Sequence, residues 1–511
     1  MFSSVHSMAL HGINVREVSV EADVSEGGLP VFEMVGLLGN EVKESRGRIR
    51  TSLKNSGFFL PPKRITVNLC PADLKKSGSH FDLPVAVSLL TAMGLITPES
   101  LSGTVIAGEL SLSGKVLKVN GILPMVLHSR EKGYKRFILP KENAAEGGAA
   151  PGIEVIGVES INETLEYING EKVIEPVSND INALLNKKKS CKHDFSEIRG
   201  QKAAKRAIEV SAAGMHNILM AGPPGGGKSM LAKCIPSILP DLTVDECLEI
   251  TGIHSIAGIL GSDGVVTERP FISPHHTVSS QALSGGGSVP KPGDISLAHR
   301  GVLFLDELPE FDRDTLEILR QPMEDREIHI SRASGNYTYP ADFLLAAAMN
   351  PCRCGYYPKP RCTCNKISVK KYLSRISRPL LDRMDIVCYV DEISFDELNA
   401  SDIQEESSEE IRSRVSDVFD IQKERFKDKS IRFNSEMNAD DIKLCCALGV
   451  KEEELLRESF KILGLSARGC HRILRCARTI ADLDRSDRIK CTHLSEAIAF
   501  RSMDKGIFYE L

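Results

Sequence analysis

The chain has 511 residues, more than one hydrophobic core usually holds, so we expect about three domains. Its formal net charge of -5 excludes a protein that coats nucleic acid through bulk positive charge, and any such contact has to be local. Because no run of about 18 apolar residues occurs and no basic start precedes an apolar segment, we expect a cytoplasmic protein without membrane contact. In that compartment the 14 cysteines stay reduced, which argues against disulfides and makes thiolate metal sites worth seeking.

The patterning along the chain divides it into four parts. Residues 1–168 mix alternating strand patterns with helical ones, which predicts an α+β domain. Residues 169–193 are polar, particularly from Lys187 to His193, and predict a linker. Residues 194–392 alternate apolar strands with helical segments, which is typical of a parallel α/β sheet. Residues 393–511 are mostly helical in period and predict a C-terminal helical lid.

The clearest motif lies between an apolar strand at residues 218–221 and a helical run at residues 230–234. It fits the pattern G-x-x-x-x-G-K-[ST] and consists of Gly222, Pro223, Pro224, Gly225, Gly226, Gly227, Lys228 and Ser229. In such a loop the backbone N–H groups surround phosphate oxygens, the lysine adds positive charge at the β- and γ-phosphates, and the terminal hydroxyl binds Mg²⁺. The strand, loop and helix together predict a site for ATP and Mg²⁺.

Polar residues end two further apolar strands. Asp306 and Glu307 follow the strand at residues 301–305, and Asn350 follows the strand at residues 344–349. In an ATPase, a first carboxylate holds Mg²⁺ through water, and a second polarises the attacking water. We therefore expect Asp306 to hold the metal, Glu307 to be the base, and the Asn350 amide to lie between the γ-phosphate and that water. Since Pro351 follows it, Asn350 also fits a simple turn.

Together these motifs resemble the AAA+ ATPases of the magnesium-chelatase-like group, in particular the YifB/ComM family. The resemblance runs nearly end to end and implies an α/β AAA+ P-loop ATPase core with an N-terminal α+β Lon-protease-like domain and a C-terminal helical lid. Beyond the phosphate loop it is carried by Arg269-Pro-Phe-Ile-Ser-Pro-His-His-Thr277, Pro292-Gly-Asp-Ile-Ser-Leu-Ala-His299, Leu308-Pro-Glu-Phe311, Asn350-Pro-Cys-Arg-Cys-Gly355 and Pro379-Leu-Leu-Asp-Arg-Met-Asp385.

The resemblance also implies two catalytic arginines. Arg383 matches the finger that one subunit inserts into its neighbour's site, and Arg468 matches a lid arginine that acts within its own subunit. A finger that acts between subunits requires a closed ring, and the family expectation is a homohexamer. Arg472 and Arg475 share a helical face with Arg468, and we expect that face to lie near the nucleotide or in solvent.

Two hairpins are predicted inside the core. The first spans residues 256–268 and resembles the insert that points into the ring channel in this group; the second spans residues 327–339. Arg332, Tyr337 and Tyr339 on the second hairpin combine a charge for the DNA backbone with rings for base stacking. Both segments also fit ordinary surface hairpins.

Four cysteines form two closely spaced pairs just after Asn350, namely Cys352, Cys354, Cys362 and Cys364. Four thiolates suit a structural Zn²⁺ that braces the loop, although C-x-C spacing is less usual than C-x-x-C and four free thiols are the alternative.

The N-terminal segment 107–143 resembles the protease domain of Lon, in which a lysine activates a serine. Here Asp82 falls at the nucleophile and Leu123 at the lysine, so we expect no protease activity and a role in assembly or partner binding. A shifted alignment would instead bring in Ser77, Ser79, Lys75 and Lys76.

The resemblance implies a ring-forming, ATP-hydrolysing motor on single-stranded or branched DNA. Its activity would be branch migration as a helicase, with recombination proteins as partners in recombination and natural transformation. Two alternatives are a chelatase-like motor that inserts a metal into a cofactor, and an ATP-driven protein scaffold or regulator without helicase activity. The absence of a metal-carrying domain from this sequence weakens the chelatase-like alternative.

Overall fold

The computed structural model describes residues 1–25, 29–187, 193–287, 289–332, 335–392 and 405–508, with side chains as far as residue 501. Most of the predicted run from Lys187 to His193, Ser334 at the tip of the second hairpin, and the predicted start of the lid at residue 393 lie outside these residues. Within them, no helix combines the length and the hydropathy that a bilayer-spanning helix needs.

The N-terminal domain contains one mixed sheet of seven strands. The nine strands of the domain, seven of which form this sheet, are β1 (Phe2–His11), β2 (Asn14–Ser25), β3 (Phe32–Val35), β4 (Arg64–Cys70), β5 (Thr104–Ile106), β6 (Glu109–Leu110), β7 (Val116–Leu117), β8 (Arg136–Pro140) and β9 (Glu154–Val158). Its helices are α1 (Asn40–Asn55), α2 (Asp82–Ala92), α3 (Ile122–Glu131), α4 (Ala144–Gly147) and α5 (Ile161–Ile168). The spatial order is β3-β4-β2-β1-β5-β8-β9, and β6 and β7 form a separate pair. The predicted α+β arrangement is confirmed, while the likeness to Lon stays a prediction.

The central part is a five-stranded sheet in which all neighbours are parallel. Its order is β11 (Phe271–Ile272), β14 (Val302–Leu305), β17 (Leu344–Met349), β10 (Ile218–Ala221) and β18 (Ile386–Tyr389). Two hairpins extend from it: β12 (Gly285–Gly286) with β13 (Lys291–Pro292), and β15 (Glu327–Arg332) with β16 (Gly335–Pro340). Before the sheet comes α6 (Ile181–Leu185), and the helices of the core are α7 (Lys202–Gly214), α8 (Lys228–Ile238), α9 (Val244–Ala257), α10 (Ser280–Ser284), α11 (Asp294–Leu297), α12 (Arg313–Glu317), α13 (Pro322–Asp325), α14 (Lys366–Leu373) and α15 (Arg378–Leu381).

The C-terminal part is helical, as predicted. Its helices are α16 (Ser408–Arg425), α17 (Ala439–Cys445), α18 (Val450–Leu463), α19 (Ala467–Leu483) and α20 (Cys491–Phe508). The apolar face of α19, which includes Ile473, Ala477 and Ile480, packs in one core with Ile386 and Cys388 of the outer strand β18. The lid therefore lies against the edge of the sheet opposite to β11.

The N-terminal domain is docked firmly on the ATPase core. Helix α3 packs on α9, and Cys247 of α9 is buried in the same apolar cluster as Leu123. Glu146 is buried at this contact, where it accepts hydrogen bonds from the Leu123 N–H (2.8 Å) and from the hydroxyl of Ser255. Burial raises the pKa of the Glu146 carboxyl. The predicted linker contributes α6, whose Ile181 is buried in the same cluster, so residues 181–185 belong to the packed interface.

The prediction of a first hairpin at residues 256–268 is wrong. Helix α9 continues to Ala257, held at its start by a capping box between Thr243 and Glu246 and ended by Gly258 in the left-handed conformation. The following segment returns along the helix, where the Val266 N–H donates to the hydroxyl of Thr251 (2.9 Å). The inserted hairpin is β12–β13, further along the chain.

The second predicted hairpin is present as β15–β16, but the proposed stacking of its tyrosines on bases is contradicted. Tyr339 is buried, and its hydroxyl donates to the carbonyl oxygen of Pro290 (2.7 Å). Tyr337 is also buried and stacks on the ring of His11 at the β1–β2 turn, with centroids 4.4 Å apart. Only Arg332 of the three is exposed. The hairpin thus joins the core to the N-terminal domain.

The position matched to the Lon nucleophile carries a buried ion pair. Asp82 begins α2 with no solvent exposure, and Arg48 of α1 donates two hydrogen bonds to it, at 2.9 and 3.1 Å. Burial raises the pKa of Asp82 to about 6, with Arg48 opposing the shift. Nearby, the Ser79 hydroxyl donates to Glu109 and the Lys76 ammonium to the Pro71 carbonyl. Among the described residues neither lysine, 75 or 76, is bonded to either serine, 77 or 79.

Removing the guanidinium of this pair should destabilise the N-terminal domain. Arg48→Ala leaves the buried Asp82 carboxylate without its charged partner and with only the Leu110 N–H (3.3 Å) as a described donor, so the free energy of unfolding of α2 should fall by about 3 kcal/mol. Hydrogen exchange of the α2 amides measures it. Arg64→Ala, which removes an exposed pair with Glu33, is the control and should cost less than about 1 kcal/mol. Equal losses in the two variants would contradict a structural role for the Arg48–Asp82 pair.

Candidate nucleotide and metal sites

The phosphate loop follows β10 at the carboxyl edge of the parallel sheet and leads into α8. Gly227 has φ of 85°, a conformation that favours glycine, at the point where the helix begins. The ammonium of Lys228 is buried and donates to the carbonyl oxygens of Gly222 (2.8 Å) and Pro223 (2.7 Å). Burial lowers the pKa of this ammonium, against an opposing effect of Asp306. The loop thus holds its lysine in the cradle that a phosphate group would enter.

The other predicted residues of the nucleotide site converge on this loop. The hydroxyl of Ser229 donates to Oδ2 of Asp306 (2.6 Å), and Lys228 donates to Oδ1 of Asn350 (3.2 Å). Asp306 follows β14 and Asn350 follows β17, so all three strands end at the same edge. Ser229 and Asp306 present adjacent oxygen ligands, the donor type that Mg²⁺ prefers, and therefore fit that ion.

Glu307 is held in an unusual conformation beside this group. Its φ of 52° is left-handed, which is uncommon for a residue with a side chain and is frequent at functional sites. Its carboxylate is more than half exposed, and Oε2 lies 3.4 Å from Nδ1 of His276. Sequence reasoning missed His276, although it lies within the quoted segment 269–277. The sequence signal that could have identified His276 is the group of polar residues that follows the short strand Phe271–Ile272.

The four predicted cysteines come together in the loop that follows Asn350. Their sulfur atoms all lie within 4.8 Å of one another, and three of the separations are 3.3, 3.5 and 3.8 Å. Tetrahedral zinc with Zn–S bonds of about 2.3 Å places its sulfurs about 3.8 Å apart, so the donor set and spacing fit Zn²⁺. The loop also presses on the phosphate loop, because a Cβ atom at Gly355 would lie 2.4 Å from Cδ of Pro224.

Arg383 and Arg468 lie together at the opposite, amino edge of the sheet. They line a cavity of about 490 Å³ with the residues that precede β10, β17 and β18, including Asn217, Phe343 and Asp385. Arg383 donates to the Pro379 carbonyl oxygen (2.7 Å) and pairs with Glu324.

Arg468 is exposed at the start of α19, and Arg472 and Arg475 line the same cavity. None of the described residues of the phosphate loop lines this cavity, so Arg468 lies apart from the phosphate loop of its own chain, and its role at a nucleotide stays a prediction. The face of α19 that carries these three arginines therefore lies near Arg383 and not beside the phosphate loop.

Family models match the three parts of the chain. Residues 194–398 match the model "Magnesium chelatase, subunit ChlI", residues 20–143 match "Subunit ChlI of Mg-chelatase", and residues 405–501 match "Magnesium chelatase, subunit ChlI C-terminal". The matched regions follow the N-terminal domain, the parallel sheet and the helical lid.

Individual relatives align over nearly the whole chain. The protein named YifB of Escherichia coli is 39% identical over 508 residues, covering 99% of this chain and 98% of that protein. The competence protein ComM of Haemophilus influenzae is 39% identical over 501 residues, covering 98% and 97%. The magnesium-chelatase 67 kDa subunit of Chlorobaculum parvum is 28% identical over 161 residues, covering 31% and 23%. The chain therefore belongs to the YifB/ComM family of magnesium-chelatase-like AAA+ proteins.

Proposed function

We propose that this protein is a ring-forming ATPase motor that acts on DNA, with the activity of a branch-migration helicase. The observation that carries the proposal is the convergence of Lys228, Ser229, Asp306 and Asn350 at one edge of the parallel sheet. That DNA is the client is supported by the relative from Haemophilus influenzae, which is named a competence protein and aligns along its whole length. A homohexamer is the assembly we propose.

The residues of the site divide the work of hydrolysis. Lys228 leaves its two carbonyl partners and binds the β- and γ-phosphates. Ser229 and Asp306 would hold Mg²⁺, which would supply positive charge at the phosphates. Glu307 polarises the attacking water. The Asn350 amide, now bonded to Lys228, positions that water against the γ-phosphate. The backbone N–H groups from Gly222 to Gly227 surround the phosphate oxygens.

The position of the arginines supports a site that is shared between subunits. A parallel strand of four residues, such as β10, spans about 13 Å, and the phosphate loop and the arginine cavity lie at its two ends. Arg383 and Arg468 therefore face away from the nucleotide of their own chain. In a head-to-tail ring, the amino edge of one subunit meets the carboxyl edge of the next. We assign both arginines to the neighbour's nucleotide.

The cysteine loop contributes a structural Zn²⁺ to this function. Cys352 follows the Asn350 position by two residues, and Gly355 of the same loop lies against Pro224. With four thiolates as ligands the ion has no open position for chemistry, so its effect is to fix the loop. A fixed loop holds both the Asn350 amide and one wall of the phosphate loop.

Stimulation of ATP turnover by DNA tests the proposed client. Single-stranded or branched DNA should raise turnover several-fold at low ionic strength, and the rise should shrink as salt weakens phosphate contacts. Glu307→Gln is the control, since it should retain ATP binding but lose turnover. If neither DNA changes turnover or oligomerisation, the client is a protein or a cofactor and the helicase proposal is wrong.

Mixing two inactive variants tests the shared site. Lys228→Ala lacks the phosphate-binding ammonium and Arg383→Ala lacks the arginine, so each alone should be inactive. In equal mixture, about a quarter of the interfaces in randomly mixed rings pair an intact Lys228 with an intact Arg383, and turnover should reappear to that extent.

The same recovery should follow when Lys228→Ala is mixed with Arg468→Ala. Arg383→Ala mixed with Arg468→Ala is the matched control, because no interface then has both arginines. Absence of recovery in either of the first two mixtures, with rings formed, would assign that arginine to its own subunit.

Removal of thiolates tests the zinc site. Wild-type protein should contain about one zinc per chain by elemental analysis, and Cys362→Ser with Cys364→Ser should lose it. Binding of a fluorescent ATP analogue should weaken several-fold in that double variant, since the loop no longer braces Pro224. Cys470→Ser, a thiol outside the cluster, is the control. A wild-type metal content far below one per chain would refute the site.

A further inference from the structure

Asn217 lies between the amino ends of two neighbouring strands. It immediately precedes β10, which pairs with β17 on one side and with β18 on the other. Its Oδ1 accepts the Leu345 N–H of β17 (3.0 Å). Its main-chain carbonyl oxygen accepts the N–H groups of Asp385 (2.9 Å) and Ile386 (3.0 Å), where β18 begins. One asparagine thus bonds the amino ends of both strands beside the one that leads to the phosphate loop.

The side-chain nitrogen of Asn217 reaches the turn that carries Arg383. Nδ2 donates to the main-chain carbonyl oxygen of Arg383 (3.2 Å). Because the Leu345 N–H can only donate and the Arg383 carbonyl can only accept, these two partners fix the orientation of the amide. An asparagine side chain has an acceptor and a donor on one planar group, which is what this position requires. Aspartate has nearly the same shape but lacks the donor.

The lid contacts the same turn one residue further on. Met384 is fully buried, and its carbonyl oxygen accepts hydrogen bonds from Arg501 (3.0 Å) and Arg472 (3.5 Å). For the carbonyl of Arg383 itself, the donor is Asn217 of the core. The guanidinium of Arg383 lines the arginine cavity, and so does Asn217. Since the arginine side chain is long, a small rotation of its peptide unit becomes a large displacement of the guanidinium.

We propose that Asn217 is a positioning residue for Arg383 and thereby acts on the nucleotide of the neighbouring subunit. Its place in the sequence points to the opposite role, because β10 leads directly into the phosphate loop of the same chain. Its side-chain hydrogen bonds, however, are made at the amino edge, where the arginine lies. The effect on the neighbour rests on the proposed shared site and does not depend on DNA, whereas the hold on the turn is a property of the single chain.

Steady-state kinetics without DNA test the role of the amide. Asn217→Ala removes both side-chain bonds and should lower kcat between about ten- and a hundredfold, because misplacing a catalytic group by about 1 Å costs on the order of 100-fold. The Kd for a fluorescent ATP analogue should stay unchanged, since Asn217 lies at the other end of β10 from the phosphate loop. A weakened Kd with unchanged kcat would overturn the proposal.

Asn217→Asp separates the donor from the acceptor. The carboxylate keeps an oxygen for the Leu345 N–H but has no donor for the Arg383 carbonyl. A residue that positions the arginine should lose turnover in this variant as it does in Asn217→Ala. A residue that only secures β17 should leave Asn217→Asp close to the wild type, and that result would contradict the proposal.

Asn143→Ala is the matched control. Asn143 is a buried asparagine of the N-terminal domain, and its amide also accepts a main-chain N–H and donates to a main-chain carbonyl, both of Val119 and both at 2.9 Å. Its removal costs the same kinds of hydrogen bond far from the arginine turn, so kcat should stay unchanged. An equal loss of kcat in Asn143→Ala and Asn217→Ala would show a general effect of lost stability and would overturn the positioning role.

Mixed rings show on which nucleotide Asn217 acts. When Asn217→Ala is mixed with Lys228→Ala, about a quarter of the interfaces in randomly mixed rings pair an intact Lys228 with a correctly held Arg383, so turnover should reappear. When Asn217→Ala is mixed with Arg383→Ala, turnover should stay lost, because no subunit then offers a correctly held arginine. The reverse pattern would place Asn217 at the phosphate loop of its own chain. Asn217→Asp replaces Asn217→Ala in both mixtures where the alanine variant does not form rings.

Lys228→Ala mixed with Arg383→Ala reports on the shared site itself. If this mixture recovers turnover while Asn217→Ala recovers with neither partner, the positioning role is wrong although the shared site stands. If this mixture stays inactive, the shared site is wrong, and a double variant decides the positioning role alone. Asn217→Asp combined with Arg383→Lys should then lower kcat by clearly less than the product of the two separate losses, because both changes act through one group. Losses that multiply fully would overturn the positioning role.

Discussion

The polarity of the central parallel sheet is the constraint on which the rest of this structure depends. All five strands run the same way, so every turn that leaves a carboxyl end is brought to one edge and every turn that enters an amino end to the other. The phosphate loop, Asp306 and Asn350 share the first edge, while Arg383 and Arg468 share the second. In the proposed ring, the charges at the amino edge of one subunit would complete the site at the carboxyl edge of the next.

A second consequence of the fold is that the N-terminal domain cannot move independently of the core. The buried Glu146, which links the Leu123 N–H to the Ser255 hydroxyl, would lose its partner on the core if α3 and α9 separated. Exposing such a group in an otherwise apolar interface costs free energy in addition to the lost packing. The stack of Tyr337 on His11 adds a contact at the hairpin. Tyr337 and Tyr339 of β15–β16 thus connect that hairpin to the N-terminal domain and to β12–β13.

The parts that could be predicted from sequence are those fixed by local chemistry. The strands at Val302–Leu305 and Leu344–Met349 are buried on both faces, so their continuous apolar runs identify them. The phosphate loop is defined by its own glycines. The strands and the loop together bring Asp306 and Asn350 to the phosphate loop, because parallel strands end at a common edge.

The parts that could not be predicted depend on tertiary packing. The apolar residues around Ile256 suit a strand or a helix. Tertiary packing decides for α9, with Ile256 buried in the same cluster as Leu283 and Leu303 of the core. From the sequence alone, the rings of Tyr337 and Tyr339 fit stacking on nucleic-acid bases. In the structure the N-terminal domain covers Tyr337, and the β12–β13 hairpin covers Tyr339. Only the family resemblance predicts Arg468 at the nucleotide of its own subunit. In the structure α19 packs on α7 and α20, and α20 lies on the outer strand β18. Arg468, at the start of α19, lines the cavity at the amino edge.

The cysteine loop and His276 both lie at the carboxyl edge of the sheet. Asn350 ends the middle strand β17, with the cysteine loop on the phosphate-loop side and Glu307 on the other. A metal bound by the four thiolates would make the first side rigid. On the second side the Glu307 carboxylate is more than half exposed, and its ion pair among the described residues is the one with His276.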